Sequence, residues 1–251
     1  MHVAADHGRK AGFTRVELAV ILSTLALAGA VLTPVGSGAQ GAPRTLLCQD
    51  NFRRLAAAWT LYADDNNGRL VDNLEDAATP TPGKASWVSG WLDWTTSTAN
   101  TNTAYLTDGR YSQIAAYAGC DPSIYKCAAD LYLSAAQTAR GWSSRVRSYS
   151  MNYYVGAKSS TSMAPGYAVY RRFSELNALP PAGLFTFVEE HPDSLNDPML
   201  FNNPTGAMWV DLPASLHERA CWFAFADGHT ELQAWRSAAT WRSTVRGRSS
   251  G

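Results

Sequence analysis

The chain has little charge and no excess of either sign. Charged residues make up 17% of its 251 residues, and 21 basic residues balance 21 acidic ones. A balanced chain has no global field that would attract nucleic acid or an anionic surface, so we expect no nucleic-acid partner. Low charge together with 11% aromatic residues is not the composition of a disordered chain. It favours a packed, β-rich domain of the extracellular type.

Several motifs of common enzyme classes are missing as well. The sequence has no phosphate-binding loop, no dinucleotide fingerprint and no Gly-x-Ser-x-Gly motif. It also has no Cys-x-x-Cys pair, no Asp-x-Asp-x-Asp loop and no His-x-x-x-His spacing. The sequence therefore predicts no enzyme.

A long apolar run lies near the N-terminus. A short basic leader ends at Gly12 and Phe13, and residues 18–35 carry no charge. This run is about long enough to cross a bilayer core, which takes about 20 residues. Glu17 lies just inside its edge, where a carboxylate is costly in lipid, so we expect it to have a function. A plain signal anchor, or a buried helix with an accidental Glu, is the alternative.

The order of leader, Gly12, Phe13, Glu17 and apolar run resembles the N-terminus of type IV pilins and type II secretion pseudopilins. In that family a prepilin peptidase cuts after the Gly, the new N-terminal Phe is methylated, and the fifth mature residue is Glu. The resemblance implies cleavage after Gly12 and N-methylation of Phe13. It also implies that Glu17 pairs with the free amine of Phe13 on a neighbouring subunit, which neutralises a buried carboxylate.

The same resemblance implies a location and a set of partners. The protein would cross the inner membrane once, with its head in the periplasm or outside the cell. It would assemble with other pilin or pseudopilin subunits into a type IV pilus-like or type II secretion filament that serves protein secretion or a pilus. Its further partners would be the prepilin peptidase and the inner-membrane platform of that machine.

Composition divides the chain into segments. Gly and Pro at high density break a helix, and apolar residues at helical spacing then predict that the helix resumes. We predict an α+β, pilin-like fold, in which a long N-terminal hydrophobic helix, broken near Pro34–Pro43, packs on an antiparallel β-sheet head. A flexible linker at the break is the alternative. The predicted segments are a leader (1–12), a transmembrane or filament-core helix (13–35), the break (36–44), a second helical half (45–66), a β-rich head (67–236) and a flexible tail (237–251).

The end of the head predicts a β-hairpin. Residues 220–225 and 230–235 are the strands, and Asp227-Gly228 forms the turn, because such turns need positive φ. Further strands are predicted at 184–188 and 145–156. The spacing of His217, nine residues and then Asp227-Gly228 resembles a family that is named for it and carries a pilin-type N-terminus.

A further resemblance covers the helix end. The block from Cys48 to Leu70 ends in a Tyr-Ala-x-Asp-x-x-Gly turn and resembles pilin-type proteins of planctomycetes and verrucomicrobia. The resemblances at the N-terminus and at His217 to Gly228 together extend from Gly12 to about Trp235.

Acidic residues and histidines gather late in the chain, where predicted strands end. Carboxylates suit Ca²⁺ and imidazoles suit transition metals. Several pseudopilins bind Ca²⁺ in their C-terminal region, which implies a structural Ca²⁺ or another divalent cation by analogy only. Hydrogen-bonded caps of strands and turns are the alternative, and no other cofactor is expected. The candidate ligands are Glu189, Glu190, His191, Asp193, His217 and Asp227.

The four cysteines are even in number, which in an exported chain favours disulfides, with three pairings open. They are Cys48, Cys120, Cys127 and Cys221. Cys120 and Cys127 are close enough in sequence to close a small loop. Free, buried thiols are the alternative.

A Trp-rich segment suggests a second function. Trp87, Trp91 and Trp94 do not alternate as a strand would. If exposed, they could stack on sugars, which would make the chain a membrane-tethered module that binds carbohydrate or another surface. Burial in the core or in a subunit contact is the alternative.

Overall fold

The computed structural model describes residues 44–158, 163, 165–178, 180–206 and 208–245. The features predicted before residue 44 lie outside the described residues. They are the processing site at Gly12 and Phe13, the acid Glu17, the apolar helix of 13–35 and the Gly/Pro break up to residue 43. Among the helices that the structure describes, none is both long and apolar enough to cross a membrane.

Helix α1 (Arg44–Asp65) is the long helix of the head, and it begins and ends one residue before the predicted 45–66. Its buried side chains include Cys48, Phe52, Leu55 and Trp59, and this spacing of three or four residues places them on one face. The helix ends just before Gly68, which has a φ of +74° and donates its N–H to the carbonyl of Ala63. Glycine adopts this left-handed conformation at low cost, so it terminates the helix.

Five strands form one sheet. They are β1 (Tyr149–Asn152), β2 (Phe185–Glu189), β3 (Met199–Leu200), β4 (Ala220–Phe225) and β5 (Thr230–Ala234). Their order is β3-β1-β2-β4-β5. The pairs β1–β2, β2–β4 and β4–β5 are antiparallel, and β3 runs parallel to β1. The α+β class is therefore confirmed in its coarse form, as a helix packed on a mixed and mostly antiparallel sheet.

The two faces of the sheet carry different side chains. Phe187, Trp222 and Ala224 pack in the same core cluster as the buried face of α1, whereas Val188 and Cys221 belong to a separate cluster. Neighbouring residues of a strand point to opposite faces, which explains this division. Position along β2 and β4 therefore decides whether a side chain faces helix α1.

The predicted hairpin is present, with β4 and β5 joined around Asp227-Gly228. The strand predicted at 145–156 is shorter in the structure, where it covers only Tyr149–Asn152. The backbone before Tyr149 bonds elsewhere: the N–H of Val146 donates to the carbonyl of Asn100, and that of Ser148 to the carbonyl of Tyr125. β3 was not predicted, since two residues show no periodicity.

Short helices connect these elements. Two are α-helical, α2 (Ala104–Thr107) and α3 (Ala135–Ala139). The others are 3₁₀ segments at Glu75–Ala78, Thr98–Asn100, Pro122–Tyr125, Phe173–Ala178 and Pro181–Gly183. The segment Pro122–Tyr125 contacts α1. The residues that follow this segment therefore lie close to the buried face of that helix.

Candidate metal centre

Four side chains with metal-binding atoms meet between helix α1 and the sheet. They are Cys48, Cys127, Glu189 and His217, and we refer to them as the Cys₂HisGlu cluster. One donor atom from each lies within 4.8 Å of the others, and all four residues are buried. No other such group of three or more occurs among the residues that the structure describes. The four come from four different segments of the chain.

Helix α1 and the segment that packs against it supply the two cysteines. Cys48 is in the second turn of α1, on the same face as Phe52, and is fully buried. Cys127 follows the 3₁₀ segment Pro122–Tyr125 by two residues and is 1% exposed. The contact of this segment with α1 therefore brings together two sulfurs that are 79 residues apart in sequence.

Strand alternation positions the carboxylate. Glu189 is the last residue of β2 and lies two residues after Phe187, on the face of the sheet that packs against α1. Its neighbour Glu190 points to the opposite face, where it accepts a hydrogen bond from Ser150 Oγ. The two adjacent acids therefore belong to different environments.

A tight turn positions the imidazole. The N–H of His217 donates to the carbonyl of Ala220, and the N–H of Ala220 donates to the carbonyl of His217. Between them, Glu218 and Arg219 have positive φ values of 53° and 69°, which are uncommon for residues other than glycine. This turn directs His217 towards α1 just before β4 begins.

The distances within the cluster are short. The Sγ atoms of Cys48 and Cys127 are 3.2 Å apart. Nε2 of His217 lies 3.5 Å from Sγ of Cys127 and 2.9 Å from Oε1 of Glu189. The two sulfurs, the imidazole nitrogen and the carboxylate oxygen therefore converge on one small volume.

Further contacts hold these side chains in place. The N–H of Trp222, on β4, donates to Oε2 of Glu189 at 2.9 Å. The N–H of Ala129 lies 3.4 Å from Sγ of Cys127, and Oγ1 of Thr45 is 3.4 Å from Nδ1 of His217. Such outer contacts fix the orientation of a ligand, and in the case of histidine its tautomer.

The electrostatics distinguish the two cysteines. The hydrogen bond from Cys127 lowers the pKa of Cys48 to about 4, whereas burial raises the pKa of Cys127. Burial lowers the pKa of His217, but its hydrogen bonds with Cys48 and Glu189 outweigh burial and raise it to about 10. Burial raises the pKa of Glu189. The two sulfurs therefore lie in different electrostatic environments, although they are neighbours.

This arrangement differs from a nucleophilic triad. In a triad the acid bonds one ring nitrogen of histidine and the nucleophile bonds the other. Here Glu189 and Cys127 both face Nε2 of His217. Both sulfurs are buried, and a surface cavity of 580 Å³ near Lys126 and Arg145 is lined by none of the four residues. The geometry offers four inward-facing donors to an ion.

Of the six predicted ligands, the structure brings two together in the cluster, Glu189 and His217. It places the other four elsewhere. Nε2 of His191 donates to the carbonyl of Arg242, and Asp193 accepts a hydrogen bond from the N–H of Val245. Asp227 is exposed and binds His229 within the hairpin turn. These contacts are caps of turns and loops, the alternative that sequence reasoning left open.

The disulfide prediction stays a prediction. All four cysteines are free in the structure. Cys120 is exposed, and Cys221 is buried on the face of the sheet that points away from α1. Sequence reasoning did not place Cys48 and Cys127 in the candidate metal site, and it did not include Cys48 among the residues of the buried face of α1. Their proximity depends on long-range packing, which no local pattern reports.

Neither a family model, nor a curated protein, nor a solved structure matches this chain. The pilin-type resemblance therefore depends on the sequence motifs alone.

Proposed function

We propose that this chain is a structural subunit of a type IV pilus-like or type II secretion filament. The observation that carries the proposal is the N-terminal order of Gly12, Phe13, Glu17 and an uncharged apolar run. A prepilin peptidase would cut after Gly12, and the apolar helix would anchor the protein in the inner membrane before it packs into a filament core. Other subunits and the platform of the machine are the partners.

The fold of the head supports this proposal. Helix α1 follows the apolar segment in sequence and packs its buried face on a mostly antiparallel sheet. A pilin-like plan also has a helix of the head at this place in the chain, packed on an antiparallel sheet, so the described α+β head supports the proposal.

The positions of the tryptophans give little support to the carbohydrate-binding alternative. Trp87 is fully buried, and its ring contacts Phe187 at a centroid distance of 5.1 Å. Its Nε1–H donates to the carbonyl of Pro198, so this side chain is part of the core. Trp91 is 44% exposed and Trp94 is half-buried, so the three tryptophans do not form one exposed stacking surface.

Processing is the sharpest test. The full chain is expressed in a host with an active prepilin peptidase, and the membrane protein is analysed by intact mass and N-terminal peptide mass spectrometry. The proposal predicts loss of residues 1–12 and a methylated Phe13. In a strain without the peptidase, the leader should remain. A mature protein that begins elsewhere, or a retained leader with active peptidase, would contradict the proposal.

A further inference from the structure

We propose that the Cys₂HisGlu cluster is a structural Zn²⁺ site that fastens helix α1 to the sheet. The ligands are Sγ of Cys48, Sγ of Cys127, Nε2 of His217 and a carboxylate oxygen of Glu189. This inference is independent of the filament proposal, because it depends only on the packing of the head.

The donor set selects the metal. Zn²⁺ binds thiolate, imidazole and carboxylate ligands, and its structural sites take four of them in a tetrahedron. Ca²⁺ takes about six to eight oxygen ligands, so two sulfurs exclude it from this cluster. Thiolates are ligands for Zn²⁺ and Cu(I), and the added imidazole and carboxylate favour Zn²⁺.

The distances fit a small tetrahedral ion. Zn–S bonds of about 2.3 Å and Zn–N or Zn–O bonds of about 2.0–2.1 Å give edges of roughly 3.8 Å between sulfurs, 3.6 Å between sulfur and nitrogen, and 3.3 Å between nitrogen and oxygen. The corresponding distances are 3.2, 3.5 and 2.9 Å. Small side-chain shifts reach the tetrahedral values. The sulfur separation is well above the bond length of a disulfide, about 2.05 Å.

The surroundings fit a structural site better than a catalytic one. A catalytic zinc keeps one position open for water or substrate, whereas a structural zinc is closed by four protein ligands. Here all four donors come from the chain and all are buried. Contacts from Thr45, Ala129 and Trp222 already support three of the ligands, as outer contacts do in known metal sites.

Binding requires proton release but no change of oxidation state. Zn²⁺ binds thiolate, neutral imidazole and carboxylate, so any proton on the four donor atoms is released on binding. The protons go to solvent, so the affinity for Zn²⁺ falls at low pH. The ion would connect α1, the segment after Pro122–Tyr125, β2 and the turn before β4. Joining segments so distant in sequence restricts the unfolded chain.

The metal content of the whole chain tests the proposal. Full-length protein is purified in detergent with a phosphine reductant, which leaves thiols free without adding a competing thiol, and is then dialysed against metal-free buffer. We expect about one zinc per chain by mass spectrometry of the elements. After chelation, added Co²⁺ should give the visible bands of a tetrahedral site and a thiolate charge-transfer band.

Matched variants identify the ligands. Loss of an outer contact costs about 10- to 100-fold in metal affinity, so Cys127→Ser and His217→Gln should weaken Zn²⁺ binding by at least about 100-fold. Cys120→Ser is the control, because it removes an exposed cysteine outside the cluster. Circular dichroism checks that each variant is folded. If a ligand variant does not fold, the Co²⁺ spectrum and the Zn²⁺-dependent rise in the Tm of the wild-type protein decide the question.

Three results would overturn the zinc proposal. Reduced wild-type protein that retains no zinc and gives no tetrahedral Co²⁺ spectrum would refute it. So would an equal loss of zinc from Cys120→Ser and Cys127→Ser. The third result concerns a disulfide, which alkylation without reductant tests in protein from zinc-replete cells. If Cys48 and Cys127 resist alkylation and the mass of the chain is lower by two hydrogens, the two cysteines form a disulfide in place of the metal site.

Discussion

Nε2 of His217 lies 2.9 Å from Oε1 of Glu189, and both side chains are buried beneath helix α1. His217 begins the spacing of nine residues that ends at Asp227-Gly228. The residues between the two ends of this motif include strand β4, whose six residues span about 20 Å. The two ends of the motif therefore have different roles: Asp227-Gly228 forms the hairpin turn, and His217 joins the Cys₂HisGlu cluster at the other end of the strand.

Packing of helix α1 on the sheet should dominate the stability of the head. Phe52 is fully buried and its ring lies 4.5 Å from that of Tyr149. We expect Phe52→Ala to lower the free energy of unfolding by about 3–5 kcal/mol, because it removes apolar contacts and leaves a cavity. Urea unfolding of the full chain in detergent, followed by tryptophan fluorescence, measures this change.

The control lies on the same helix. Leu61 is 51% exposed, so Leu61→Ala should change stability by less than about 0.5 kcal/mol. Equal losses in the two variants would show that the described face of α1 is not the one that packs on the sheet.

Two glycines with the same backbone conformation should respond differently to alanine. Gly156 has φ +86°, and a Cβ there would lie 2.3 Å from the carbonyl oxygen of Val71. Gly228 has φ +88°, and its Cβ would meet nothing within 4 Å. We expect Gly228→Ala to cost about 1–2 kcal/mol through its conformation alone. Gly156→Ala should cost clearly more, since the backbone of the neighbouring segment must move.

Thermal unfolding of both variants measures the difference. A smaller loss at Gly156 than at Gly228 would contradict the close approach of residues 71 and 156.

Asp211 should make stability depend on pH. Burial raises the pKa of Asp211 from 3.8 to about 7, and its Oδ2 accepts a hydrogen bond from the N–H of Phe201 at 2.7 Å. A raised pKa means that the folded state binds the proton more tightly, so this stabilising contribution is complete below about pH 4 and is lost as the pH rises to about 7. The variant Asp211→Asn cannot lose a proton and keeps an oxygen acceptor.

The stability of the wild type relative to Asp211→Asn should therefore fall between pH 4.5 and pH 7. Urea unfolding of both proteins at several pH values gives this difference directly. Parallel curves over this range would show that Asp211 titrates normally.

Glu17 should be needed for assembly after processing. Under the filament proposal, Glu17→Ala leaves the amine of Phe13 without its partner in the neighbouring subunit, and loss of one partner of a buried pair costs about 3–5 kcal/mol. We expect a protein that is cleaved after Gly12 but enters filaments poorly. Quantification of the protein in sheared filaments and in membranes measures this. Glu231→Ala, which removes an exposed acid of β5, is the control, and normal incorporation of Glu17→Ala would count against the proposed pairing.

Local patterns predicted the parts of the fold that local physics decides. The helical spacing of Phe52, Leu55 and Trp59 predicted α1, and the Asp227-Gly228 turn predicted the hairpin of β4 and β5. The strand around Tyr149 was predicted too long, because hydrogen bonds to Asn100 and Tyr125 determine where it begins. Those partners are distant in sequence, and periodicity contains no information about them.

The candidate site shows the same limit. Strand alternation, applied to β2, separates Glu189 from Glu190 and would have removed one of the predicted ligands. The meeting of Cys48 with Cys127 depends on how the segment Pro122–Tyr125 docks on α1, which the sequence does not show. Sequence reasoning therefore found half of the cluster and assigned its cysteines to another chemistry.

The position of Cys48 also has a mechanical consequence. Any tension on the chain before Arg44 enters the head through the first turns of α1, where Cys48 lies close to Glu189 at the end of β2 and to His217 in the turn before β4. Both β2 and β4 are inner strands, each paired on both sides. Load applied at this point therefore reaches the sheet through β2 and through the turn before β4, and both of these strands are held by hydrogen bonds on each side.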